Sequence, residues 1–350
     1  MEAVFQQALA HHQAGRLSEA EPLYRQAAAW KPEWTLGNLG ILLRTTGRLA
    51  EAEGVLREAL RAAPDNAPVR HSLGMTLLQL GQYPEGWRFY EARHEINPLA
   101  NPPPLPRWQG EPLAGKRILV VAEQGLGDQI MLSRFIAPLA ERCAEVVFAT
   151  PRALTNLFTS LPARVFHPLE WNEAPADFWT PLGSVPRWLE AGPADAPVQH
   201  LSSLVRANRP IGTGLMLEGA PTNGNNAYRL PNAGVARAIR GLTEFVDLRP
   251  EATRAQDFAG TAAIISGLAR VVTVDTAVAH LAGAMGKPCW ILMPRPAIDW
   301  YANWHDDRTP WYPSVRLLRQ RSPGDWAGLI TDLAEVVAQP MVQPGDWAEP

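Results

Sequence analysis

Cysteine is nearly absent, with only Cys143 and Cys289 among 350 residues. Two thiols build neither a disulfide framework nor a zinc site. Each falls in an apolar context, Cys143 at the end of an expected helix and Cys289 in the run PCWILM, which suits a small buried hydrophobe. An excess of charge of one sign is lacking too: 32 lysines and arginines face 35 acids, for a net charge of −3. No dense basic run appears, so the chain offers no face for nucleic acid. No apolar stretch nears the roughly 20 residues of a membrane-spanning helix. The opening MEAVFQQALAHHQ has neither the basic start nor the apolar core of a secretory leader, and the expected location is the cytoplasm. H-E-x-x-H, G-x-S-x-G and Cys/His clusters are missing as well. The remainder is 46% hydrophobic and 19% charged, a globular composition long enough for two or three domains.

The first hundred residues repeat. When Gly15, Gly47 and Gly81 are aligned, Ala20, Ala52 and Gly86 fall into step, as do Tyr24, Leu56 and Tyr90, and Pro32, Pro64 and Pro98, at spacings of 32 and 34 residues. A small residue lets two helices approach, glycine ends the first helix and proline ends the second. The pattern resembles the tetratricopeptide repeat, which implies an α-solenoid over residues 1–97 and a peptide or protein held on its concave face. The alternative is that the repeats only brace the next domain. Tyr83, Trp87, Phe89 and Tyr90 crowd the last helix and read as packing.

A proline-rich stretch over 98–115, with Pro98, Pro102, Pro103, Pro104 and Pro106, reads as a stiff connector. Gly110, Gly115 and Lys116 have the spacing of a phosphate loop. Arg117 stands where Ser or Thr belongs, and the stretch precedes a strand instead of following one, so the match is rejected.

From residue 116 onward short apolar runs alternate with helical patterns, which calls for parallel sheets and helical crossovers. One set spans 116–205, with strands at 117–122, 145–149 and 164–167 and helices at 128–142 and 153–160. Pro138 predicts a kink in the first of those helices. Residues 169–198 show no clean period and are expected to be irregular, with one short strand or helix. A second set spans 206–338, with strands at 211–217, 244–248, 270–274 and 288–293 and helices at 231–241, 261–268 and 276–285. A last helix at 326–337 is placed to cross back to the first set, and the tail 339–350 reads as disordered. Two such sets in series leave a cleft between them.

Two edges are placed to face that cleft. In EQGLGD, Gln124, Gly125 and Gly127 form a turn after a strand, the glycines allowing unusual backbone angles. Asp128 there is either a helix N-cap or a base for an acceptor hydroxyl. In VTVDTAVAH, Asp275 and Thr276 end a strand and open a helix. The free N–H groups of Thr276, Ala277 and Val278 would suit a diphosphate there, with Asp275 turned toward sugar hydroxyls. His280, one turn on, is either a contact to the loop or a packed core residue.

EQGLGDQIMLSRF, VTVDTAVAHLAGAMGKPCWILMP and WYPSVRLLRQ together resemble the glycosyltransferase domain related to the ADP-heptose:lipopolysaccharide heptosyltransferases, in the form that follows tetratricopeptide repeats. The resemblance implies two Rossmann-like domains in a GT-B arrangement, the first for the acceptor and the second for the nucleotide sugar. It also implies that Asp128 is the general base and that Asp275, Thr276 and His280 contact donor sugar and phosphate. The loop GAPTNGNNAYRLP departs from the family pattern. Its one cation, Arg229, is the candidate for the leaving diphosphate, with Asn225 as a weaker neighbour; otherwise Arg229 caps a helix or faces water. No Asp-x-Asp pair occurs, which argues for a metal-independent transferase without a cofactor beyond its nucleotide-sugar substrate. The repeats suggest a protein acceptor by analogy. A non-catalytic scaffold with a degenerate transferase domain is the alternative. A dinucleotide-dependent oxidoreductase is set aside, because Ile130 stands where the third glycine of its fingerprint belongs.

Overall fold

A computed structural model describes residues 2–167, 175–205, 210–219, 226–295, 301 and 307–340. The chain divides into two compact units, Met1–Pro102 with Pro296–Trp304, and Pro103–Arg295 with His305–Pro350. Asn225 and the tail beyond residue 340 lie outside the described residues.

The first unit is helical: α1 (Glu2–Gln13), α2 (Leu17–Ala28), α3 (Pro32–Thr45), α4 (Leu49–Ala62), α5 (Ala67–Gln79), α6 (Tyr83–Tyr90) and the short α7 (Arg93–Ile96). Consecutive helices pair as hairpins, α1 with α2, α3 with α4 and α5 with α6. The recurring glycine does what its spacing predicts. Gly15, Gly47 and Gly81 stand between the helices of each hairpin at φ of 73°, 81° and 76°, a region that side chains with a Cβ resist. Ala20, Ala52, Tyr24, Leu56 and Tyr90 are buried. Tyr24, Leu39, Leu42 and Leu43 share one core cluster, and Leu56, Val69, Leu73 and Leu77 share the next. Arg48 reaches back to Glu21 at 2.7 Å, and Arg57 forward to Glu85 at 2.7 Å. Such exposed pairs contribute about 0–1 kcal/mol each, so the apolar stacking is what holds the repeats together. Trp87 and Tyr90 are packing residues, their rings edge to face at 5.7 Å.

The second unit carries two parallel sheets. The first lobe holds β1 (Arg117–Val121), α8 (Leu126–Leu132), α9 (Ile136–Ala140), β2 (Glu145–Ala149), α10 (Arg152–Thr155), β3 (Arg164–Phe166), β4 (Phe178–Pro181) and α11 (Val185–Leu189). Its strand order is β3-β2-β1-β4. The chain from Pro103 belongs to this unit as well: Arg107 bridges Trp179 of β4, and Trp108 and Leu113 are buried. The stretch expected as a connector thus lines a sheet edge over its second half. The helix expected at 128–142 is broken into α8, a 3-10 turn at Ser133–Phe135 and α9. Pro138 supplies no N–H for the carbonyl of Arg134 and crowds it, and the backbone tightens one turn earlier.

The second lobe holds β5 (Thr213–Met216), α12 (Asn226–Arg229), α13 (Ala233–Arg240), β6 (Phe245–Asp247), α14 (Pro250–Thr253), α15 (Phe258–Gly267), β7 (Arg270–Val274), α16 (Ala277–Ala284), β8 (Cys289–Met293), β9 (Val315–Arg319) and α17 (Trp326–Ala338), with strand order β6-β5-β7-β8-β9. β7 and β8 are buried along their whole length, which is why β8 reads as an unbroken apolar run and β7 as a valine-rich one. β9 escapes sequence reading because it is an edge strand with three of its five residues only partly covered. α17 does not cross to the first lobe. Leu329 and Leu333 insert into the core formed by Leu215, Ile239, Val272 and Leu292, and Arg270 donates to the carbonyls of Val336 and Val337.

Candidate functional site

An open parallel sheet binds ligands beyond the carboxyl ends of its strands, where the strand order reverses. In the first lobe β2 and β3 lie to one side of β1 and β4 to the other, so the reversal falls between β1 and β4. In the second it falls between β5 and β7. The segments after β1 and β7 are those that hold Asp128 and Asp275.

After β1 the chain makes its turn differently from the sequence expectation. Gly125 has an ordinary extended backbone, φ −70° and ψ 158°, and serves as the helix cap. Gln124 takes the left-handed conformation instead, at φ 65°, a strained choice for a residue with a side chain. Its carbonyl accepts a hydrogen bond from Gln129 at 3.1 Å. The glycines are needed for space. A Cβ on Gly127 would lie 2.7 Å from Cδ2 of His280 and 3.5 Å from the Cα of Ala277. Asp128 is not the N-cap; it occupies the third helical position and accepts from the Gly125 N–H at 3.2 Å. Glu123, beside it, accepts from the N–H of Gly183, just after β4, at 3.1 Å.

After β7, Thr276 caps α16 with an extended backbone, and its side chain makes no capping bond. Its hydroxyl turns 3.2 Å to that of Thr273, so the Thr276 side chain leaves the first amides of α16 uncapped. Asp275 is buried. Arg229, also buried, donates to the Asp275 carbonyl, and its Nη1 stands 3.8 Å from the Asp275 carboxylate. Arg229 therefore neither caps a helix nor faces water. His280 is buried, with Nδ1 3.2 Å from the Tyr312 hydroxyl. Burial pushes its pKa down to about 4, so it is neutral near pH 7.

The two edges meet directly, with α8 packed along α16. The open cleft expected between them is closed at this point, because Gly127 has no side chain to hold the helices apart. Asp128 comes close enough to Asp275 for the two charges to interact. Burial first, and the Asp275 charge second, raise the Asp128 pKa to about 6 against the Gly125 hydrogen bond. Asp128, Asp275, Thr276, Ala277, Val278, His280, Arg229 and the turn at Gln124, Gly125 and Gly127 thus occupy one neighbourhood. Sequence reading missed a second group around it. Arg134, fully buried, donates to the carbonyl of Trp311 at 2.8 Å, and His200 meets Ser133 at 2.9 Å and the Ile130 carbonyl at 3.0 Å. The available signal for Arg134 was a lone cation inside the apolar stretch IMLSRFIAPL.

Family models of the tetratricopeptide repeat match residues 1–26 and 34–63. The chain carries tetratricopeptide repeats. Protein FlbA of Caulobacter vibrioides is 26% identical over 339 residues, covering 79% of this chain and 56% of FlbA, so the chain spans about half the length of that relative. The protein O-mannosyl-transferase Tmtc2 of Drosophila melanogaster is 49% identical over 51 residues, 15% of this chain and 5% of that protein. Among solved structures, a mutant of the Thermobaculum terrenum O-GlcNAc transferase aligns over 95% of this chain and 82% of its own at 15% identity, with a TM-score of 0.30. Among the described residues no helix is long and apolar enough to cross a membrane.

Proposed function

We propose that this chain is a glycosyltransferase of GT-B arrangement that moves a sugar from a nucleotide-sugar donor to a hydroxyl of a protein acceptor bound by the repeats. The observation that supports the reading is the packing of α8 on α16 where the two strand orders reverse, which brings a carboxylate of raised pKa to the N-terminal end of α16, where a buried arginine holds Asp275. The Asp128 carboxylate takes the proton from the acceptor hydroxyl. The oxygen attacks the anomeric carbon as the bond to the diphosphate breaks, and the electron pair leaves with the diphosphate. Arg229 and the amides of Thr276, Ala277 and Val278 receive that charge. Asp275, held by Arg229, accepts from donor sugar hydroxyls, and His280 keeps the helix turn in place. Metal independence rests on the sequence, which has no Asp-x-Asp pair and has an arginine and a helix terminus where positive charge is needed.

The test is release of nucleoside diphosphate from a panel of nucleotide sugars, followed in parallel with calorimetric donor binding. Asp128→Asn should slow transfer by about 10²- to 10⁴-fold, the range a positioned base commands, and leave donor affinity unchanged. Equal rates in wild type and variant would remove Asp128 from the role. One observation favours the scaffold reading: Arg229 is already engaged by Asp275. If no nucleotide or nucleotide sugar produces saturable heat, that reading stands in place of the enzyme.

A further inference from the structure

Arg134 has no solvent exposure, yet it carries a charge. Burying a guanidinium is unfavourable unless its donors and its charge find partners, and an apolar side chain would fill the space at less cost. Its partners lie in both lobes. Nε donates to the Met131 carbonyl in α8 at 3.0 Å, and Nη2 to the Trp311 carbonyl in the segment before β9 at 2.8 Å. The guanidinium carbon stands 5.1 Å from the Trp311 ring centroid and 4.9 Å from that of Tyr312. A planar fork of donors can span two such carbonyls while it faces aromatic rings; a lysine ammonium cannot. The contacts continue from there. The Tyr312 hydroxyl meets His280, a Cβ on Gly283 would lie 2.5 Å from the Tyr312 ring, and the His280 ring lies against Gly127. The route leaves the first lobe at Arg134, passes through the second, and returns to the first next to Asp128.

We propose that Arg134 is a positioning residue: through Tyr312 and His280 it fixes the turn that carries Asp128 against the first turn of α16. The role in catalysis rests on the transferase reading above; the role in holding the two turns together does not.

Arg134→Lys keeps the charge and loses the fork. Hydrogen exchange read by mass spectrometry on the full chain should quicken about tenfold or more in peptides covering both 124–130 and 277–283. Leu333→Ala, a core truncation in α17, serves as the control and should leave those two segments unchanged relative to the rest of the chain. Tyr312→Phe keeps the ring and removes the hydroxyl, and should quicken the same two segments; it decides the matter if Arg134→Lys does not fold. On a donor that the wild type turns over, Arg134→Lys should lower kcat by about tenfold to a hundredfold, with the donor KM within about twofold. Unchanged exchange at 124–130, the same change in the Leu333→Ala control, or a loss confined to KM overturns the proposal. A wild type inert on every donor overturns the transferase reading alone, and the exchange comparison then decides this one.

Discussion

Asp128 and Asp275 are near enough for their charges to interact, and they differ in their partners. Asp275 has Arg229 against it, while Asp128 accepts from a backbone N–H and feels the Asp275 charge. In the proposed reaction Asp128, its pKa raised to about 6, is the base that works near neutrality. kcat/KM should therefore rise with pH through about 6 and level off above it. An acid limb with its midpoint near 4 would place the base elsewhere. The stability effect has the opposite sense. Between pH 3.8, the ordinary value, and about 6 the folded chain holds a proton that the unfolded chain has released, so this group destabilises the fold as pH rises through that window. Asp128→Asn should raise the melting temperature above pH 6 and not at pH 4. Both carboxylates are legible in the sequence because each follows a strand run and opens a helix. Arg134 and His200 are not, since neither a cation inside an apolar stretch nor a lone imidazole in a mixed one gives a sign of the carbonyls it will meet.

At the level of elements, the close approach of helices is set where side chains are missing. In the repeats, a Cβ on Gly74 would lie 2.6 Å from the Tyr90 backbone nitrogen, an obstacle that cannot rotate away. On α8, a Cβ on Gly127 would meet the His280 ring at 2.7 Å. Gly74→Ala and Gly127→Ala should each cost about 1–3 kcal/mol by overpacking, partly offset by the roughly 1 kcal/mol that alanine gains over glycine in a helix. Urea denaturation of each variant measures the cost. Only Gly127→Ala should also slow transfer, because only it separates the two turns at the site. The helix hairpins and most strands are legible from period and punctuation. The division of the 126–140 segment is legible only as a kink at Pro138, because a sequence marks the missing donor and not the turn that will tighten to absorb it. β9 is hidden because an edge strand needs no full apolar run.

Across the whole molecule, three imidazoles set the response to acid, His280 buried and His71 and His200 partly so. His71 in the repeats is pushed down to about 4, chiefly by burial and then by Arg44; in the α/β unit His200 is pushed to about 3 and His280 to about 4, chiefly by burial. Each is neutral when folded, so the unfolded chain takes up more protons as pH falls below 6.5, and stability present above 6.5 is lost toward 4. These groups outnumber Asp128, whose effect is opposite, and both units should unfold at lower urea at pH 5 than at pH 7.5. His200→Gln should flatten the response of the α/β unit and leave that of the repeats unchanged, each followed by the exchange of its own peptides. Equal midpoints at the two pH values would contradict the neutral state of these rings in the folded chain.

Local rules determined the repeats and the two series of parallel strands, since glycine, proline and hydrophobic period act over a few residues and leave their marks in order along the chain. The same rules marked Asp128 and Asp275 as residues at the ends of strands. Their meeting was decided by the fold, because it depends on where each strand order reverses and on a contact between Gly127 and His280, residues 153 positions apart in the chain. The raised pKa of Asp128 depends on that approach, and the engagement of Arg229 by Asp275 and the burial of Arg134 against Trp311 likewise depend on partners that only packing brings near.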